Sequence, residues 1–151
     1  MLSEYLFCRG IKAVSSIDFS KVVVELMNSQ CTSLKCTLTQ LDEVMDVRSL
    51  IYQNSSFDLI VDKACLDCLY QSQTPYKSVQ SALTEIHRCL TPNGTYALLS
   101  NSPGLMRQHL WALDWVVREV PIPKLPMRYV DKDKDVDYPK KYFFFFCSKG
   151  V

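Results

Sequence analysis

The chain has 151 residues, of which 48% are hydrophobic and 22% are charged. This length predicts a single domain over residues 1–151 that buries roughly two thirds of the surface of its unfolded chain. The formal net charge of +1 gives no electrostatic basis for binding nucleic acid or an anionic membrane. No apolar run reaches a membrane-spanning length and no leader-like segment opens the sequence, so we expect a soluble cytoplasmic protein.

Seven cysteines are present, an odd number that favours reduced thiols over a disulfide framework. Cys65 and Cys68 form a C-x-x-C pair, and Cys31 and Cys36 form a looser one. Zinc usually needs two close pairs of ligands, and the sequence contains no second C-x-x-C pair. We therefore expect no bound metal, and a thioredoxin-like redox pair remains the alternative for Cys65 and Cys68.

The N-terminal third predicts alternating strands and helices after a short opening helix. The apolar run over residues 13–18 predicts a strand that ends at Asp18. Ser20 can cap the helix that follows, because its hydroxyl oxygen can accept from an unpaired N–H of the first turn. Residues 41–46 then predict a short strand that ends at Asp46.

The middle of the chain contains its clearest strand pattern. Residues 57–62 are largely apolar and uninterrupted, as in buried parallel strands. Apolar spacing predicts a helix over residues 77–90, and the Pro-Asn-Gly sequence at 92–94 predicts a turn after it. Residues 95–100 predict the next strand.

The C-terminal third is less regular. Residues 111–120 fit either a helix or a strand, and prolines at positions 121, 123 and 126 predict an extended loop. The aromatic run over residues 142–147 strongly favours a strand. Because this strand follows without a clear crossover helix, we expect it to be antiparallel, at one edge of an otherwise parallel α/β sheet.

Three acidic residues end three successive predicted strands: Asp18, Asp46 and Asp62. Ligands of open α/β sheets bind at the carboxyl ends of the strands, so the three side chains would face one crevice. Asp18 can accept from ribose hydroxyls and Asp46 from an adenine amino group, with the N–H of Val47 available to a ring nitrogen. Each residue alone can equally cap a helix or open a turn, so the prediction depends on their shared position.

Residues 43–50 and 55–69 resemble the class I S-adenosylmethionine-dependent methyltransferases. They are most similar to the branch that includes the elongation-factor lysine methyltransferases. That branch has an acidic residue followed by Lys-Gly-Thr-Leu-Asp-Ala-Leu. Here Asp62-Lys63 begins the pattern, Ala64-Cys65 replaces Gly-Thr, and Cys68 replaces Ala.

Residues 85–96 resemble the helix, Pro-Gly-Gly turn and fifth strand of the same family. Asn93 replaces a glycine there, which a left-handed turn position tolerates. Residues 2–6, followed by Gly10, are similar to the family's first helix. The resemblance covers nearly the whole chain and implies a Rossmann-like α/β sheet, mostly parallel with an antiparallel C-terminal strand.

The resemblance also implies S-adenosylmethionine as the cofactor. Six positions match the cofactor site of the family: Asp18, Phe19, Asp46, Val47, Asp62 and Lys63. The first two would contact ribose and adenine, the next two the adenine edge, and Lys63 would line the pocket at the end of the fourth strand. Asp62 and Asp67 would contact the substrate or order the loop, and no catalytic base is assigned.

The sequence departs from the family at its beginning. The family's first strand and Gly-rich loop have no counterpart, and none of the four glycines can replace that loop. In this fold the first strand lies between the second and the fourth, so its loss leaves a gap of about 10 Å. Another chain could supply the strand in a homodimer, or the sheet could close up. We instead expect an N-terminally truncated version of a longer protein.

Three functions remain open from the sequence. We expect methyl transfer from S-adenosylmethionine, with a protein lysine of a translation factor as the acceptor by analogy with the branch. The alternative is a non-catalytic methyltransferase-like domain that acts in binding or dimerisation, with the aromatic run Phe143–Phe146 as an apolar interface. The third and weakest is a redox or metal module built on Cys65 and Cys68.

Overall fold

The computed structural model describes residues 5–6, 8–11, 13–33, 42–124 and 141–150. Leu2, Cys36 and Pro126, to which parts of the sequence predictions refer, lie outside these residues. The chain divides into two compact units, Met1–Leu50 and Ile51–Val151. The single domain expected over residues 1–151 stays a prediction. Within the described residues, no helix has both the length and the apolar character needed to span a membrane.

The first unit contains two short parallel strands and a helix. The strands are β1 (Ser16–Asp18) and β2 (Asp42–Val44), and the helix is α1 (Lys21–Ser33). Asp18 pairs with Val44 at the ends of the two strands. The predicted cap is confirmed, because the Oγ of Ser20 accepts from the N–H of Val23 at 3.4 Å.

The second predicted strand ends earlier than expected. The backbone of Met45 still donates to the carbonyl of Asp18 at 3.0 Å, but β2 itself ends at Val44. Asp46 begins a turn that closes with a hydrogen bond from the N–H of Ser49 to its carbonyl. The prediction that the strand ends at Asp46 is therefore wrong by two residues. The carbonyl of Asp46 accepts from Ser49 within the turn, and the strand has already ended at Val44.

The second unit is built on a four-stranded mixed sheet. Its strands are β3 (Phe57–Lys63), β4 (Leu90–Ser100), β5 (Trp115–Pro123) and β6 (Lys141–Lys149), in the order β3-β4-β6-β5. β3 and β4 are parallel, whereas β6 is antiparallel to both of its neighbours. The predicted α/β fold with an antiparallel C-terminal strand is confirmed. Its predicted place at an edge is wrong, since β6 lies between β4 and β5.

The strands fall into two sheets, β1-β2 and β3-β4-β6-β5. The resemblance places a further strand between β1 and β3. Here these two strands belong to different sheets. The missing first strand, and the truncation expected from it, stay predictions.

Three helices accompany the four-stranded sheet: α2 (Cys65–Leu69), α3 (Pro75–Cys89) and α4 (Pro103–Leu110). α3 agrees with the predicted helix over 77–90 to within two residues. Its apolar residues recur every three or four positions, which places them on one buried face. The largest fully buried side chains of the unit include Tyr96, Leu98, Phe145 and Leu110.

The C-terminal end of α3 is closed by polar contacts. The N–H groups of Ser55 and Ser56 donate to the carbonyls of Arg88 and Cys89 at 3.0 and 2.8 Å. The ammonium of Lys149 donates to the carbonyls of His87 and Leu90 at 2.8 and 2.9 Å. The last carbonyls of a helix lack intrahelical partners, so these contacts satisfy groups that would otherwise be unpaired.

The turn predicted after α3 is present as an interruption of the β3–β4 pairing. Phe57 pairs with Leu90, but Leu59 already pairs with Thr95, so the intervening residues of β4 loop out. Asn93 has φ of 64°, the left-handed conformation expected where it replaces a glycine. Gly94 is buried in this loop.

Residues 111–120 divide between a turn after α4 and strand β5, which resolves the ambiguity of the sequence. Pro121 and Pro123 lie inside β5 and pair with Phe143 and Lys141. The predicted extended loop is therefore wrong at these two residues. β5 is an edge strand that pairs with β6 on one side only. A proline is tolerated in such a strand, because the N–H that it lacks has no partner on the unpaired side.

We predict that Gly94→Ala destabilises the protein by about 1–3 kcal/mol, because an added methyl group forces backbone movement. A Cβ at this position would lie 2.8 Å from the carbonyl oxygen of Thr91. The matched control is Gly104→Ala in α4, where a Cβ meets nothing within 4 Å. The control should be neutral or stabilising by up to about 1 kcal/mol. Urea unfolding measures both, and equal free energies of unfolding would contradict the prediction.

His109 is a buried titratable residue of α4. Its side chain is 6% exposed and lies against the rings of Tyr70 and Tyr76, with centroids 5.4 and 4.9 Å away. Its Nε2 has no hydrogen-bond partner among the described residues. Burial lowers the pKa of His109 below its usual range, because the charged form loses its hydration.

We predict that stability falls as the pH drops below about 6.5, the pKa of an unfolded histidine. In this range the unfolded chain binds a proton at His109 more readily than the folded chain does. His109→Gln and His109→Phe should both reduce this slope, as measured by the thermal midpoint between pH 7.5 and 5. If both variants keep the slope of the original protein, another group is responsible.

Candidate functional site

The carboxyl ends of β1 and β2 bring together four of the residues predicted from the sequence. Asp18 ends β1, and its Oδ1 accepts from the N–H of Ser20 at 2.8 Å. The side chain of Phe19 is 81% exposed. Because Asp18 pairs with Val44, Asp46 and Val47 follow at the same edge of the two strands. This edge therefore combines an oriented carboxylate with an exposed aromatic ring.

Asp46 is held by Arg48. The Arg48 side chain donates to both carboxylate oxygens at 2.6–3.0 Å, and the backbone N–H of Arg48 also donates to Oδ1 at 2.9 Å. The hydrogen bond from the Arg48 side chain lowers the pKa of Asp46, so the carboxylate is ionised at neutral pH. A hydrogen-bond donor on a ligand, such as an adenine amino group, has to share these oxygens with Arg48.

Asp62 is the last residue but one of β3, which ends one residue later than predicted, and it is only 6% exposed. It accepts from the N–H groups of Cys65 and Leu66 at 2.7 and 3.3 Å, and from the hydroxyl of Tyr96 at 2.9 Å. Burial raises the pKa of Asp62. Since all three donors belong to the protein, this geometry fits the expected role in ordering the loop. A cofactor contact by Asp62 stays a prediction.

Asp67 connects helix α2 to the end of β4. Its Oδ1 accepts from the hydroxyl of Ser100 at 2.7 Å and its Oδ2 from the N–H of Asn101 at 3.2 Å. The Ser100 oxygen in turn accepts from the N–H of Ser102 at 2.9 Å. Asp67 therefore fixes the position at which the chain leaves β4 for α4, and both of its oxygens are engaged.

Lys63 lines a cleft at the carboxyl ends of β3 and β4. The cleft measures about 270 Å³ and is lined by Lys63, Ala64, Leu99, Asn101 and Tyr142. The ammonium of Lys124 lies 4.4 Å from the centre of the Tyr142 ring. Ala64 adopts φ of 63°, which turns the chain from β3 into α2 next to the cleft.

Sequence reasoning found Lys63 but missed the other wall of this cleft. Asn101 follows directly after the predicted strand over 95–100, so its position was a usable signal. Tyr142 reaches the same edge because β6 is antiparallel to β4 and pairs Phe143 with Ser100. That pairing is a long-range contact and leaves no local pattern in the sequence.

The six predicted cofactor positions are divided between the two units. Asp18, Phe19, Asp46 and Val47 lie in the first unit, whereas Asp62 and Lys63 lie in the second. Asp62 and Lys63 are consecutive but differ in environment, since the first is buried and the second exposed. The convergence of three carboxylates on one crevice stays a prediction.

Cys8, Cys65, Cys68, Cys89 and Cys147 form no disulfide bond. Cys65 and Cys68 are exposed on α2, while Cys89 and Cys147 are buried. Burial raises the pKa of Cys147 to about 12, which makes this thiol unreactive at neutral pH. The described residues contain no group of three or more His, Cys, Asp or Glu placed to hold a metal ion.

The family model described as "Methyltransferase domain" matches residues 1–98 of this chain. The chain belongs to the methyltransferase domain family. This match covers both groups of predicted site residues, at the ends of β1 and β2 and at the end of β3. S-adenosylmethionine is the cofactor of the class that these residues resemble.

Curated relatives point to the same branch that the sequence resembles. The chain is 33% identical over 117 residues to EEF1A lysine methyltransferase 4 of Bos taurus. This alignment covers 72% of the chain and 45% of that protein. Its alignment with the eEF1A lysine and N-terminal methyltransferase of Xenopus laevis extends over 155 positions at 26% identity. This alignment covers 98% of the chain and 21% of that protein. The chain thus spans about half the length of the first relative and less of the second.

Solved structures confirm the fold. A SAM-dependent methyltransferase from Methanosarcina mazei aligns with a TM-score of 0.68 and 14% identity, covering 91% of this chain and 82% of its own. The Bacillus protein YcgJ aligns with a TM-score of 0.70 and 14% identity, covering 98% and 87%. At such identities the likeness establishes the architecture only.

The residues at the ends of β1 and β2 fit the adenosine part of the cofactor. Within the part of the chain that the structure describes, Asp18 accepts from Ser20 through Oδ1, so a ribose hydroxyl would be accepted by Oδ2. The exposed ring of Phe19 offers an apolar surface for a base. Asp46 is ionised and oriented by Arg48, so it fits as a hydrogen-bond acceptor whose oxygens serve both Arg48 and the ligand.

We predict that Tyr96→Phe destabilises the second unit by about 1–3 kcal/mol, because it removes one of three donors from a buried carboxylate. Tyr142→Phe, on a half-buried ring outside this network, is the control for loss of a tyrosine hydroxyl. Thermal unfolding compares the two variants. The role given to Asp62 is contradicted if Tyr96→Phe costs no more than the control.

Proposed function

We propose that this protein transfers a methyl group from S-adenosylmethionine to a lysine side chain of a protein. The observation that supports the acceptor is the similarity to EEF1A lysine methyltransferase 4, at 33% identity over 72% of the chain. The geometry supports the site, because the predicted residues follow the carboxyl ends of strands, where ligands of α/β sheets bind. We place the reaction in the cytoplasm, where translation factors act.

When bound, the cofactor supplies a methyl carbon made electrophilic by the positively charged sulfur. The chain's own residues then have to bind the adenosine part, orient the acceptor and keep water away. Asp18, Phe19, Asp46 and Val47 perform the first task in this proposal, and Lys63 lines the cleft near the acceptor. Positioning therefore accounts for most of the proposed rate enhancement.

A carboxylate base is not part of the proposal. Asp62 is buried and accepts from three protein donors, and Asp67 accepts from Ser100 and Asn101 with both oxygens. Neither carboxylate is placed to collect a proton from an incoming amine. The acceptor amine has to arrive neutral or lose its proton to water.

The partner in this proposal is a protein substrate, with the elongation factor named in its relatives as the first candidate. A homodimer that completes the sheet is a separate proposal. The non-catalytic binding module is supported less well, because the aromatic run lies within β6 and Phe145 is fully buried. Phe143, Phe144 and Phe146 are half-buried, so the run offers a partner only part of its apolar surface.

We predict saturable binding of S-adenosylmethionine to the 151-residue chain, measured by calorimetry. Asp18→Asn and Asp46→Asn should each weaken binding about tenfold or more, which corresponds to 1.4 kcal/mol or more. Asp114→Asn is the matched control, because Asp114 is exposed in the turn before β5. Absence of binding at millimolar cofactor would show that this chain is not itself a competent enzyme.

The acceptor is tested with labelled cofactor. Purified eEF1A should gain radioactive methyl groups, and acid hydrolysis should release them as methylated lysine. Label on another amino acid would contradict the lysine proposal while leaving methyl transfer intact. Asp46→Asn serves again as the variant in which transfer should be lost together with cofactor binding.

A further inference from the structure

The cleft of the second unit is lined by five residues, and the cofactor prediction gives a role only to Lys63. Three of its five lining residues are apolar surfaces: Ala64, Leu99 and the ring of Tyr142. Asn101 and Lys63 complete the lining. Its size, about 270 Å³, is sufficient for an extended aliphatic side chain and is too small for a whole nucleoside with its amino acid part.

Positive charge predominates around this cleft. Lys63 lies on its wall, and the ammonium of Lys124 lies 4.4 Å from the centre of the Tyr142 ring. Lys141, which precedes Tyr142, is exposed. Lys63 ends β3, Lys124 directly follows β5 and Lys141 begins β6, so the topology places three lysines at the same end of the sheet.

The negative charges of the same edge are already bound. Asp62 of β3 is 6% exposed and accepts from three donors. Asp67 of α2 accepts from Ser100 and Asn101 and does not line the cleft. Among the described residues of this edge, the carboxylates of Asp62 and Asp67 are therefore engaged within the protein, whereas Lys63 lines the cleft and the ammonium of Lys124 lies against the ring of Tyr142.

We propose that this cleft receives the acceptor lysine and that the ammonium groups of Lys63 and Lys124 keep that lysine in its neutral, nucleophilic form. The proposal rests on the proposed lysine acceptor. The apolar walls remove water from the incoming amine, and the two positive charges repel its protonated form. Both effects favour loss of the proton, as they do for buried lysines beside another cation.

The chemical balance needs no base from the protein. An ordinary lysine is almost fully protonated at neutral pH, so the proton has to leave to water before the reaction. The nitrogen lone pair then forms a bond to the methyl carbon while the carbon–sulfur bond breaks, and sulfur keeps the electron pair. The positive charge passes to the methylated nitrogen.

The first test measures binding without methyl transfer. The probe is N,N-dimethylbutylamine with ¹³C-labelled methyl groups, whose chemical shift reports its protonation. We expect the bound probe to titrate about 0.5–1 pH unit below the free probe, since like charges a few ångströms away have that effect in partly hydrated sites. Lys63→Met and Lys124→Met should each remove part of this difference, and Lys63→Arg should retain it.

Lys77→Met provides the matched control. Lys77 is exposed on α3 and does not line the cleft, so the probe should titrate as in the original protein. Tyr142→Leu should weaken probe binding, whereas Tyr142→Phe keeps the ring and should retain it. An unshifted titration, or equal shifts in Lys63→Met and the original protein, would overturn the inference.

The second test separates this inference from the proposed function. In the pH profile of methyl transfer, Lys63→Met should move the rising limb to higher pH by the same 0.5–1 unit, about the effect of one removed charge. Transfer to lysine with an unmoved limb overturns the inference and leaves the proposed function intact. A shifted probe titration without any transfer to lysine supports the cleft as an amine site and overturns the proposed function.

Discussion

The buried carboxylate of Asp62 is the contact on which the carboxyl edge of the second unit depends. It accepts from the first turn of α2 and from the hydroxyl of Tyr96 in β4, and thereby joins three elements at one point. A buried carboxylate is costly unless its oxygens are satisfied, so these donors are required by the burial itself. The left-handed backbone at Ala64 lets the chain turn back toward Asp62 in time to supply them.

The cleft follows from this arrangement. Asp62 caps α2 with a buried carboxylate, the exposed Lys63 next to it lines the cleft, and Asp67 accepts from Ser100 and Asn101. The acidic residues of the edge are therefore structural, and the basic residues are available to a ligand. A cleft with no carboxylate in its lining, one ammonium group on its wall and a second against the ring of Tyr142 suits a reaction in which the nucleophile has to be neutral.

In the proposed function the first unit has a different role, the recognition of the adenosine part of the cofactor. Its two parallel strands end together, and their carboxylates are oriented by neighbours only two residues away: Ser20 for Asp18 and Arg48 for Asp46. These contacts are local, which is why the positions could be predicted from the sequence. The long-range pairing of β6 between β4 and β5 had no such local signal, and neither did the acceptance of two prolines in an edge strand.

The sequence by itself determined the alternation of strands and helices, the positions of Asp18, Asp62 and Lys63 at or next to strand ends, and the resemblance that implies S-adenosylmethionine. It could do so because apolar periodicity, capping and turn formation depend on residues within a few positions of one another. Only the tertiary structure decided that Asp62 is buried while Lys63 is exposed, and that Tyr142 and Lys124 join Lys63 and Asn101 at one edge. Burial and strand order depend on contacts between residues far apart in the chain, and the energy of those contacts is decided by packing and desolvation in the folded protein.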